Sequence, residues 1–154
     1  MARYQKIIDT LIDTGSYDKI YFDHETELDI PYREIGYLKH SALQEKPGKG
    51  RGLHKKRADI CAVKDGFVKV IIEEERKATE DKVWKDIDII SECMYLWTDG
   101  ELFPFDNLCT LFVILNNNIN NIPERVDSSV GNLRYVIVCR IDRFPDLYNQ
   151  YVNI

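Results

Sequence analysis

The sequence predicts an α/β protein in which a central mixed sheet is flanked by helices, and three observations carry that expectation. Apolar residues recur at helical spacing near the start, at Tyr4, Ile7, Ile8, Leu11 and Ile12. Two short runs rich in apolar residues are split by Lys64-Asp65-Gly66, a hairpin turn signal. A nearly continuous apolar run from Leu108 to Leu115 has the pattern of a strand buried on both faces.

The elements follow in order. Thr14-Gly15 closes the first helix with a glycine C-cap. Ile20-Tyr21-Phe22 reads as a short strand, and Pro31 suits the first turn of a second helix running to about Leu43 with Ile35, Leu38 and Leu43 on it. Lys46 to Gly52, with three glycines and one proline, is a loop. Residues 58–63 and 67–75 read as paired strands. Thr79, Glu80 and Asp81 start a helix with the charge that the helix dipole favours. Val83, Ile87, Ile90, Met94 and Trp97 form one stripe on it, expected to be core packing, with Asp99-Gly100 closing it. Asn116 to Asn121 is a loop, Leu133 to Ile141 a further strand, and a short helix is expected around Leu147 to Val152. A competing reading makes Glu73 to Trp97 one long charged helix. The β-branched run Val68-Lys69-Val70-Ile71-Ile72 just before the acids argues against it.

At 154 residues, 44% of them hydrophobic, the chain has enough apolar surface for one domain with a substantial core, residues 1–154 being read as a single unit. The four cysteines, Cys61, Cys93, Cys109 and Cys139, show neither a CxxC pair nor zinc-site spacing with histidine. Buried free thiols in a reducing compartment are the expectation. No secretory signal and no apolar run of membrane-spanning length is visible, so a cytoplasmic protein with no membrane partner is expected.

The net charge of −5 counts at first against a nucleic-acid partner, but its distribution does not. Lys46, Lys49, Arg51, Lys55, Lys56 and Arg57 stand together with no acid among them; removing their +6 from −5 leaves −11 for the rest. Lys49, Arg51, Lys55, Lys56 and Arg57 are therefore candidate DNA contacts, the alternative being a solvated connector.

That basic segment runs into Arg57-Ala58-Asp59-Ile60, and sixteen residues after the aspartate comes Glu75-Arg76-Lys77. Strand alternation puts Glu73, Glu75 and Lys77 on one face, the face toward Asp59, with Glu74 and Arg76 opposite. Carboxylates gathered at one sheet edge repel unless a cation joins them. Asp59 and Glu75 are candidate ligands for Mg²⁺ or Mn²⁺, and Lys77 is placed to orient an attacking water or to stabilise charge on a phosphate.

These residues resemble the PD-(D/E)XK nuclease superfamily, which includes restriction endonucleases, Holliday junction resolvases and the N-terminal nuclease domain of type I restriction subunits. The likeness covers about residues 31–115. Arg57-Ala58-Asp59-Ile60 takes the place of the Pro-Asp element, and Ile71-Ile72 with Glu75-Arg76-Lys77 that of the strand ending in Glu-X-Lys. Two departures stand out: Ala58 replaces the proline, and position X is Arg76, where an apolar or small residue is usual. Glu73-Glu74-Glu75 thus offers a second register, with Glu73 as ligand and Glu75 in place of the lysine. The resemblance implies a restriction endonuclease-like core and a Mg²⁺-dependent, homodimeric DNA endonuclease. Asp59, Glu75 and Lys77 would be catalytic, and an upstream acid such as Glu34, or behind it Glu27, would assist. A catalytically silent module of the same fold, binding nucleic acid or protein, is the alternative.

Overall fold

The computed structural model describes residues 2–22, 37–39, 58–77, 79–98 and 101–152. At its centre lies the expected hairpin, β3 (Ile60–Lys64) and β4 (Phe67–Glu75), joined so that Lys64 pairs with Phe67. Asp65 and Gly66 both take positive φ, 54° and 81°, as a two-residue turn matched to the twist of its strands demands. A bulge between Ala62 and Val63 then shifts the register, so that Ile60 lies opposite Ile72.

The remaining strands build outward from this hairpin. β1 (Lys19–Phe22) adds antiparallel to β3, while the second half of β6 (Glu101–Leu115) runs parallel to β4. β8 (Leu133–Arg140) lies parallel to β6, and β7 (Arg125–Val130) closes that edge antiparallel to β8. The first half of β6 instead pairs with β5 (Tyr95–Thr98), which carries β2 (Tyr37–Lys39) on its other side.

Both faces of the sheet are covered. α1 (Ala2–Gly15) and α3 (Phe144–Tyr151) pack Ile7, Ile8, Leu11, Phe144, Leu147 and Tyr148 against Ile60, Val70, Ile72, Phe112 and Ile114. A 3₁₀ turn, Ile141–Arg143, leads into α3, and the hydroxyls of Tyr17 and Tyr148 meet at 2.6 Å beneath it. On the opposite face, α2 (Glu80–Glu92) lays Val83, Ile87 and Ile90 on Cys61, Ile71, Leu111 and Val113. All four cysteines are free and buried, as expected, and burial pushes the thiols of Cys61, Cys109 and Cys139 up. Among the described residues no helix is long and apolar enough to cross a membrane.

Two expectations need correction. Within the helix expected from Pro31 to Leu43, Tyr37–Lys39 is strand, with Leu38 opposite Leu96; the open edge of β5 offers backbone partners that outweigh a weak helical pattern. The helix expected to reach Trp97 ends at Glu92, and Met94, assigned to its buried stripe, is 44% exposed. The turn after β7 stops it: the Asn132 N–H donates to the Ser91 carbonyl at 2.9 Å, and its side-chain amide reaches those of Glu92 and Cys93 at 3.4 and 3.1 Å. Gly131 makes this approach possible, since a Cβ there would lie 2.5 Å from the Ser91 oxygen. The alternative of one helix from Glu73 to Trp97 is likewise excluded, because β4 runs through Glu75 and α2 begins only at Glu80.

Candidate metal centre

The strand alternation that buries Val70 and Ile72 beneath α1 and α3 turns Ile71 toward α2, and Glu73 and Glu75 continue that second series. Both are buried, at 4% and 5% exposure, beneath the first turns of α2. Thr79 caps that helix, its hydroxyl oxygen accepting the N–H of Lys82 at 3.2 Å, with Glu80 and Asp81 in the first turn as expected. Lys82 and Asp86 stand one helical turn apart on α2, and Asp86 is buried.

Glu73, Glu75 and Asp86 each present a carboxylate oxygen within 4.8 Å of the others. Two oxygens on one Mg²⁺ lie at most about 4.2 Å apart, twice the metal–oxygen distance. The trio is thus near chelating spacing, and its all-oxygen donor set suits a hard divalent cation. Lys82 Nζ approaches the trio at 3.0 Å from Asp86 Oδ2 and 3.4 Å from Glu75 Oε2.

Asp59 touches the trio through its backbone, its carboxylate lying outside the group. Its N–H donates to Glu73 Oε1 at 3.1 Å, and its Oδ2 accepts the N–H of Glu74 at 2.6 Å. Continuing the hairpin register by one residue puts Asp59 opposite Glu73, with Glu75 two residues farther along the strand. Asp59 and Glu73 therefore face each other directly, the contact being the Asp59 N–H on the Glu73 carboxylate. Glu74 points to the other face, where Arg76 Nε holds it at 3.0 Å. Lys77 lies two residues past β4, exposed, with no hydrogen bond or ion pair among the described residues. Glu27, Glu34, Lys49, Arg51, Lys55, Lys56 and Arg57 lie outside the described residues.

Sequence reasoning passed over Lys82 and Asp86. The available signal was Asp86 within the stripe Val83, Ile87, Ile90, because an acid on a core-facing helical position calls for a partner.

Burial, then the hydrogen bond to Asp86 and its charge, push the Glu75 carboxyl up to about 7, and Lys82 only partly offsets them. A carboxyl raised on folding contributes stability that is fully present below its unfolded value near 4.5 and is lost as pH rises through about 7. Glu75→Gln removes that loss. In chelator-containing buffer the variant should melt roughly 5 °C above wild type at pH 8, the gap closing by pH 4.5. Thermal melts across this range test it, and a pH-independent gap would count against the assignment.

No family model, no curated protein and no solved structure matches the chain.

Proposed function

We propose that this chain is a divalent-metal-dependent DNA endonuclease of the PD-(D/E)XK type, hydrolysing phosphodiester bonds at the cluster of Glu73, Glu75 and Asp86 with Asp59 beside it. The observation that carries the reading is the coincidence of two independent features. In the order α1, β1, β2, β3, β4, α2, β5, β6, the antiparallel hairpin β3–β4, the helix α2 and the buried strand β6 parallel to β4 follow one another in the sequence that the resemblance implies for residues 31–115. At the end of that hairpin the carboxylates of Glu73 and Glu75 meet that of Asp86 at near chelating distance, and the Asp59 N–H donates to Glu73.

Asp59, Glu73, Glu75 and Asp86 would hold Mg²⁺ or Mn²⁺, whose chemistry when bound is to polarise the phosphate and lower the pKa of an attacking water. The chain's own residues supply the rest. Glu74 N–H fixes the Asp59 carboxylate, and the Asn116 N–H holds the Glu75 carbonyl at 2.9 Å, so β4, which carries Glu73 and Glu75, is held on both sides. The basic residues Lys49, Arg51, Lys55, Lys56 and Arg57 precede Asp59 directly in sequence and would contact the DNA backbone. Cleavage of both strands calls for two sites, hence a homodimer.

The test is incubation of the full chain with supercoiled, linear, junction and flap DNA in Mg²⁺, Mn²⁺ or chelator. Metal-dependent cleavage is expected, together with a Mn²⁺-induced rise in melting temperature that Asp59→Asn largely removes. A metal-induced rise equal in wild type and Asp59→Asn would sink the site. Metal binding at these acids with no cleavage of any substrate would favour the silent module, a reading that the chain's net charge of −5 and the exposed Lys77 support.

A further inference from the structure

Lys82 is built differently from the acids it touches. Its side chain is 53% exposed, whereas those of Glu75 and Asp86 are 6% and 11% exposed. About half of the side chain is thus open to solvent, while the ammonium lies against the carboxylates, 3.0 Å from Asp86 Oδ2 and 3.4 Å from Glu75 Oε2. These two oxygen-bearing groups also belong to the trio at near chelating spacing. An ammonium and a divalent cation cannot share them, because two positive charges a few ångströms apart repel strongly where water is scarce.

We propose that Lys82 is a resident counter-ion of these carboxylates: it holds Glu75 and Asp86 together in the metal-free protein, yields its place to a divalent cation, and then turns its ammonium to the substrate phosphate. The counter-ion exchange needs only a metal site, and the last step rests on the nuclease reading. Three features suit Lys82 to it. Its backbone is fixed, since Thr79 caps its N–H at 3.2 Å, so the ammonium can move only on an arc about a constant point. The flexible four-carbon stem lets that arc cover several ångströms. The side chain's exposure leaves little packing to oppose the swing. Asp86 one turn along α2 is the hinge contact that the ammonium would exchange for phosphate.

Lys82 would thus take the part that the linear motif gives to Lys77. The motif lysine sits two residues past β4 and is exposed, while Lys82 already stands on two of the carboxylates.

The experiment measures Mn²⁺ affinity by calorimetry and DNA nicking in parallel, for full-length wild type, Lys82→Met, Lys82→Arg and Lys77→Met. Removing a competing cation should tighten Mn²⁺ binding by Lys82→Met about tenfold, a change of one decade in Kd. Lys82→Arg should stay near wild type in affinity, because the competing charge remains. Nicking by Lys82→Met should fall at least ~10²-fold at saturating Mn²⁺, the scale of losing one group that stabilises transition-state charge. Unchanged or weaker Mn²⁺ binding in Lys82→Met overturns the exchange, since Lys82 would then only shape the pocket. Nicking lost in Lys77→Met and kept in Lys82→Met overturns the phosphate role. Tighter Mn²⁺ binding in Lys82→Met, with wild type cleaving no DNA, upholds the exchange and defeats the nuclease reading alone.

Discussion

Glu73→Gln is expected to abolish metal-dependent DNA cleavage, by ~10³-fold or more, and to remove most of the Mn²⁺-induced rise in melting temperature. Lys77→Ala should do neither to a comparable degree. The expectation comes from register. Asp59 and Glu73 meet across the hairpin, Asp59 N–H to Glu73 Oε1 at 3.1 Å, and Glu73 also lies within 4.8 Å of both Glu75 and Asp86. It is the acid that joins the β3 contact to the α2 contact, so its charge is the one that the set can least lose. Glutamine keeps the volume and can still accept the Asp59 N–H, which separates loss of charge from loss of fold. Comparable circular dichroism for the two proteins, with metal response and nicking measured on each, checks it. Cleavage that survives Glu73→Gln and disappears in Lys77→Ala would restore Glu75-Arg76-Lys77 as the working motif.

Phe112→Ala is expected to cost about 3–5 kcal/mol, the range for a large aromatic removed from a tight core, and to lower the melting temperature by roughly 10 °C. Phe112 has no solvent exposure and lies opposite Ile72 on the neighbouring β4 strand. Its ring meets Phe144 edge-on at 4.9 Å and Tyr148 at 6.2 Å, so it is the post on which α3 docks. Nothing in α3 or β6 can collapse into the vacancy without unpairing a central strand. Urea denaturation, with an m-value unchanged from wild type, gives the number. A loss under about 1 kcal/mol would mean that α3 contributes little to holding the sheet.

Much of this molecule was legible in the chain because the signals were local. The period of Ile7, Ile8 and Leu11 marked α1, and Asp65-Gly66 marked the hairpin turn. Thr79 with Glu80 and Asp81 marked the start of α2, and the apolar run to Leu115 marked a two-sided central strand. Each depends on residues within one turn or one strand, where sequence spacing and spatial spacing coincide. The carboxylates of the candidate centre were visible for the same reason: Asp59 precedes one strand of a short hairpin and Glu73 and Glu75 end the other.

What failed depended on partners distant in sequence. Tyr37–Lys39 and Tyr95–Thr98 are strands because each finds an edge to pair with, and α2 stops at Glu92 because the turn carrying Asn132 caps its carbonyls from 40 residues away. β7 carries little apolar signal, since only Val126 and Val130 interrupt its polar residues, and it exists through pairing with β8. Signals confined to neighbouring residues were enough for the α/β class, the hairpin, and an acidic set at its open end. Long-range packing put Glu73 opposite Asp59, through the Ala62/Val63 bulge, and laid α2 so that Asp86 and Lys82 reach the β4 carboxylates. The two differ in range: propensity and periodicity act over a few residues, whereas register across a bulge and a helix laid over a sheet end are fixed by the packing of the whole core.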